Sequence, residues 1–136
     1  MDPKFRVSIP VEWRPEDKGG LLRLQLSKTY EMPVIKVLTE EAFAERIATI
    51  ENSGLTPALK QQKLGKLHML CKKATLNDQG KLLVPKEWSE KASLEADNEV
   101  VLAGRGKHFE IWNTVNFRRV LEIETTTDDD DDLGVF

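Results

Sequence analysis

The chain has 136 residues, 40% hydrophobic and 32% charged, with a formal net charge of −3, which fits one domain with enough apolar content for a core. It has no apolar run long enough to cross a bilayer and no basic-then-apolar leader, so neither a helical span nor a signal peptide is expected and the cytoplasm is. A single cysteine, Cys71, excludes an intramolecular disulfide, and two widely separated histidines, His68 and His108, with no cysteine pair argue against a metal site.

The charge is unevenly spread. Asp128 to Asp132 form an unbroken acidic run, and Glu122 and Glu124 bring the negative charges near the end to seven; without them residues 1–121 stand at +4. A mildly basic folded part with an acidic tail is compatible with nucleic acid, despite the negative total.

In chain order, Asp2 to Trp13 reads D-P-K-F-R-V-S-I-P-V-E-W, a polar loop, a short apolar strand ending at Pro10, and a tryptophan three residues on. Glu16 to Gly20 is a turn. Leu21 to Ser27 alternates leucine with polar residues, the sign of a half-buried strand, and Pro33 to Leu38 is a second strand. Thr39 caps a helix whose first turn holds Glu40 and Glu41. Phe43, Ile47 and Ile50 form its apolar stripe, and Asn52-Ser53-Gly54 ends it. Thr56-Pro57 starts a further helix, over about 56–73, with Leu64, Leu67 and Cys71 on one face.

Asn77 to Trp88 then reads N-D-Q-G-K-L-L-V-P-K-E-W. At an offset of 75 this repeats the opening: Asp2 aligns with Asn77, Arg6 with Lys81, Ile9 with Val84, Pro10 with Pro85 and Trp13 with Trp88. Phe5 stands where the second copy has the turn glycine, Gly80. After Pro85 a short helix is expected, then a hairpin over 100–112 with Gly104-Arg105-Gly106 at its tip, and a last helix from Thr114. After Glu124 no periodicity remains, and residues 125–136 read as a disordered acidic tail.

The repeated loop, apolar run, proline and aromatic resemble the MraZ family of bacterial transcription regulators, which belongs to the AbrB-like proteins. The segment from Val100 to Trp112 resembles that family's strand-turn-strand. The resemblance covers about residues 2–120. It implies an α+β, mainly β fold: a pseudo-twofold, duplicated AbrB-like swapped-hairpin barrel with flanking helices. One domain over 1–124 would contain halves at about 2–54 and 75–121. The family carries a further strand before the first loop; since Asp2 follows Met1, the expectation is that this strand is missing and a sheet edge is unpaired.

The resemblance also implies sequence-specific binding of double-stranded DNA, at tandem promoter repeats upstream of the division and cell-wall gene cluster, by a ring-like homo-oligomer associated with the nucleoid. A loop-borne Arg6 can approach guanine edges or phosphates, oriented by Asp2, with Lys81 and Asn77 a weaker second pair. Lys4, Arg14 and Lys86 are expected to add phosphate contacts. On periodicity alone an ion pair within the protein is the better account of Arg6; the repeat and the resemblance shift the balance to DNA.

Trp13, Trp88 and Trp112 read as core, and Cys71 as an inert buried thiol. No nucleophile setting or phosphate-cradling loop supports catalysis, and no cofactor, membrane or small-molecule substrate is expected. Two alternatives stay open: an AbrB-like antitoxin, and a barrel that binds protein and not DNA. A tail that competes with DNA for the basic loops is a further expectation.

Overall fold

The computed structural model describes residues 1–17, 19–126 and 133–135. Its elements are β1 (Arg6–Ser8), a 3-10 turn (Val11–Trp13), β2 (Leu22–Thr29), β3 (Met32–Thr39), α1 (Glu40–Glu51), α2 (Pro57–Leu70), β4 (Cys71–Ala74), β5 (Lys81–Leu83), α3 (Lys86–Lys91), β6 (Val100–Gly104), β7 (His108–Asn113) and α4 (Thr114–Thr125). This is an α+β fold with two antiparallel sheets, β1-β5 and β4-β2-β3-β7-β6. Among the described residues neither sheet closes, so the barrel expected from the resemblance is replaced by open sheets packed on one another.

The β3 strand sorts the layers. Ile35 and Val37 face a core shared with Leu22, Leu24, Phe109 and Ile111, covered by Val7 and Ile9 of the first half and by Leu82, Val84 and Trp88 of the second. The alternate residues face the helices. Leu38 packs with Ala42, Phe43, Leu67 and Cys71; Val34 packs with Trp112, Val120 and Phe117. Alternation at period two thus feeds two cores from one strand.

Helix starts follow local chemistry. Thr39 Oγ1 accepts the Ala42 N–H at 3.0 Å, Thr56 Oγ1 accepts that of Leu59 at 3.3 Å, and Asn113 Oδ1 accepts that of Asn116 at 3.0 Å. Each satisfies a donor that the first helical turn leaves open.

The halves are related by a local twofold that the strand register makes visible. In the small sheet Val7 pairs with Leu82, its own counterpart at the offset of 75. In the large sheet Lys36 pairs with Glu110, at an offset of 74 that also relates the helix caps Thr39 and Asn113.

Two elements differ from expectation. The helix anticipated over 56–73 ends at Leu70. Cys71 is extended, at φ −119° and ψ 130°, and Cys71–Ala74 pairs with Leu22–Gln25 of β2. Lysine is at home in a helix, but an open strand edge overrides that weak preference, and the Lys72 ammonium lies 5.0 Å from the Trp88 ring centre. The last helix runs to Thr125, past the expected start of the tail; Asp128 to Asp132 lie outside the described residues.

Candidate nucleic-acid interface

The two repeated loops have one geometry. Asp2 Oδ1 accepts the N–H groups of Lys4 at 2.9 Å and Arg6 at 2.8 Å. Asn77 Oδ1 accepts those of Gln79 and Lys81, both at 2.9 Å. The Asp2 N–H donates to the Arg6 carbonyl and the Asn77 N–H to that of Lys81, each at 2.9 Å. To close this turn the chain passes through positive φ, +61° at Phe5 and +74° at Gly80. Glycine accepts that conformation freely, whereas Phe5 carries its strain.

The strand pairing ties the loops crosswise. The Ile9 N–H donates to the Gly80 carbonyl at 3.1 Å and that of Val84 to the Phe5 carbonyl at 3.0 Å. Arg14 Nε donates to the Ile9 carbonyl at 2.8 Å, and Ser89 Oγ donates to the matching Val84 carbonyl at 3.3 Å. The guanidinium of Arg14 also lies where a side chain at Gly80 would stand. Arg14 therefore joins the halves.

Asp2, Arg6 and Lys81 come together. Arg6 Nε donates to Asp2 Oδ2 at 2.8 Å, and Lys81 Nζ lies 3.9 Å from the same oxygen. The ammonium of Lys81 thus meets the acid of the other half, while Asn77 holds only the Lys81 backbone. The anticipated Asn77–Lys81 side-chain pair is corrected to Asp2–Lys81, because β1–β5 pairing carries Lys81 across the twofold. The Arg6 and Lys81 side chains remain 33% and 30% exposed, so both reach solvent. Among the described residues no hydrogen bond engages Arg6 Nη1 or Nη2. Glu99 borders the same hollow and weakens its positive potential.

The other expected contacts lie apart from this trio. Arg14 and Asn77 line a different hollow with Gly80 and Pro15. Lys4 and Lys86 are exposed and border neither hollow. Trp88 and Trp112 are buried, and Trp13 packs on Phe109 with ring centres 5.3 Å apart. Cys71 is a buried free thiol, and burial pushes its pKa up. Among the described residues no His, Cys, Asp and Glu cluster is placed to hold a metal, and no helix is long and apolar enough to cross a membrane.

A polar network under α4 was not evident from the sequence. Glu110, 2% exposed, accepts from Arg105 Nε at 2.8 Å and from Trp112 Nε1 at 3.0 Å, with His108 Nε2 at 3.4 Å. Arg105 also bonds both oxygens of Glu124, Nη2 to Oε2 at 2.9 Å. The only hint in the sequence is a glutamate inside an apolar strand, five residues after an arginine at a hairpin tip.

Burial raises the Glu110 pKa, but the bonds from Arg105 and Trp112 and the Arg105 charge outweigh it, leaving it below the usual 4.5. Asp2 is likewise lowered from 3.8, burial being outweighed by the Arg6 backbone and side chain and the Lys4 N–H. Burial holds His108 below 6.5 against the opposing pull of Glu110. All three folded-state values are depressed, so each group contributes stability that is present above its unfolded pKa and lost as pH falls through the folded one. Thermal stability is expected to decline first below pH 6.5, through His108, and further below 4.5, through the carboxylates. A melting temperature that rises between pH 6.5 and 4 contradicts this.

The chain is a duplicated α+β protein with one polar, cation-bearing loop in each half, and the family match of its second half points to a transcription-regulator-like or antitoxin-like class. Residues 71–133 match the family described as MraZ protein, putative antitoxin-like. That match covers a little under half of the chain, and the first half repeats its loop, strand and hairpin. The family is of a regulator type, not an enzymatic one. No curated protein matches the chain.

Proposed function

We propose that the protein is a sequence-specific DNA-binding transcription regulator in which Arg6 reads a base edge and Lys81 meets the adjacent phosphate. One observation carries the reading: Asp2 fixes Arg6 through Nε alone and leaves the two terminal guanidinium nitrogens for a bidentate partner such as guanine O6 and N7. Lys4 and Lys86 add phosphate contacts without sequence preference. A few cations bind weakly, and a ring of protomers on tandem sites gains avidity; the division and cell-wall cluster is the proposed target. The AbrB-like swapped hairpin, too, remains part of this proposal, supported by the reciprocal pairing of β1 with β5.

The test is fluorescence anisotropy on a promoter fragment with tandem repeats and on its scrambled version, across a salt series. Arg6→Ala is expected to remove most of the preference, worth about 1–3 kcal/mol, or roughly 5- to 150-fold. Lys86→Ala should weaken both fragments equally and lower the salt slope by about 1. Feeble binding to both fragments, unchanged by Arg6→Ala, means that the Asp2–Arg6 pair is structural. The antitoxin reading rests on the family's description, and its mark is a small protein that co-purifies in fixed ratio.

A further inference from the structure

The longest strand pair leaves part of an edge open. β2 pairs with β3 along its whole length, Leu22 to Thr29, but β4 covers only Leu22 to Gln25. Among the described residues no strand lies beside Leu26–Thr29. Beside that stretch is a groove of about 760 Å³, with Leu26, Leu70 and Pro33 as its apolar part and Lys28, Lys66 and Lys91 around it. Among the described residues no ion pair engages Lys28 or Lys66; Lys91 meets Glu87 at 3.2 Å on the surface. Gln25 also lines the groove, and its Oε1 is buried with no hydrogen-bond partner, an acceptor in want of a donor.

The geometry points to this groove as a docking site for the acidic C-terminal segment of the same chain, which adds an extended strand along Leu26–Thr29. Three lysines face a segment that contains five consecutive aspartates. The segment's apolar end has no seat in the core: Leu133 and Val135 are 76% and 72% exposed. An edge strand presents backbone donors and acceptors that an incoming strand satisfies.

Connectivity supports the chain's own segment. Tyr30, at the tip of the β2–β3 hairpin, donates to Glu124 Oε2 at 3.3 Å, so α4 ends beside this hairpin. Lys28 lies two residues from the tip. Because an extended chain spans about 3.3–3.6 Å per residue, residues beyond Thr126 reach Lys28 within a few positions and Gln25 within the length of the aspartate run. Glu124 and Gln25 are both on the helical side of the sheet, α4 through Val34 and Trp112, and Gln25 through its pairing with Lys36.

The test is carbodiimide cross-linking of the full chain, which joins carboxylates and amines only in contact, on an equal mixture of isotopically light and heavy protein. The expected result is amide links from Asp128–Asp132 to Lys28, Lys66 or Lys91, within single chains, suppressed by high salt and absent in a K28Q/K66Q/K91Q variant. The Glu45–Lys107 pair, at 3.4 Å, is the internal control for the chemistry. Three results overturn the proposal: control links without tail links, tail links mainly to Lys4, Lys81 or Lys86, and links mainly between light and heavy chains. The readout involves no DNA, so it stands or falls separately from the regulator reading.

Discussion

Glu110→Ala is expected to cost the fold about 3–5 kcal/mol, the range for removing one member of a buried charge pair. Its carboxylate is 2% exposed and is shared by Arg105, Trp112 and His108. Without it the Trp112 indole N–H, on a residue with no exposure, loses its acceptor, and Arg105 keeps only Glu124. The indole's loss is desolvated and uncompensated, whereas Arg105, 28% exposed, keeps Glu124 and reaches water. Glu110→Gln keeps the shape and an acceptor for the indole but loses the charge, and should fall between the two. Glu99→Ala, on an exposed residue, should stay within about 0.5 kcal/mol. Urea unfolding of the three variants checks the series; a loss under about 1 kcal/mol for Glu110→Ala means that water replaces the carboxylate.

Ile111→Ala is expected to destabilise by about 2–5 kcal/mol, the usual cost of truncating a buried isoleucine. Ile111 has no exposure and pairs with Ile35, next to the point where the local twofold crosses the large sheet. Elements of both halves converge there, so little can relax into the cavity without disturbing both. Leu83→Ala, from a side chain on a residue 56% exposed, is the control and should change stability by about 0.5 kcal/mol or less. Equal midpoints for the two variants contradict the packing described for Ile111.

Much of the architecture was legible because it was written twice. The offset of 75 aligned Pro10 with Pro85 and Trp13 with Trp88, and the caps at Thr39 and Thr56 are short-range signals that survive folding unchanged. What escaped depends on partners distant in sequence. Cys71-Lys72-Lys73-Ala74 carries no strand pattern of its own and is extended because the edge of β2 is there. The Asp2–Arg6 contact lies within one loop, so spacing suggested it. Lys81 beside Asp2 follows from the register of β1 on β5, which no local pattern encodes. Phe5 shows the same limit from the other side: the repeat reveals that it stands in the place of Gly80, but not that it adopts the glycine's backbone.

The self-equivalent pairings, Val7 with Leu82 and Lys36 with Glu110, make the chain the equivalent of a dimer whose two subunits are joined covalently. Dilution cannot separate them, so unfolding of this interface is first order at any protein concentration. Fusion also releases the subunits from identity. In a true homodimer every substitution appears on both sides of the axis, whereas here each copy drifts alone. Asp2 and Arg6 on one side and Asn77 and Lys81 on the other are the result: one fold whose two related loops are free to specialise.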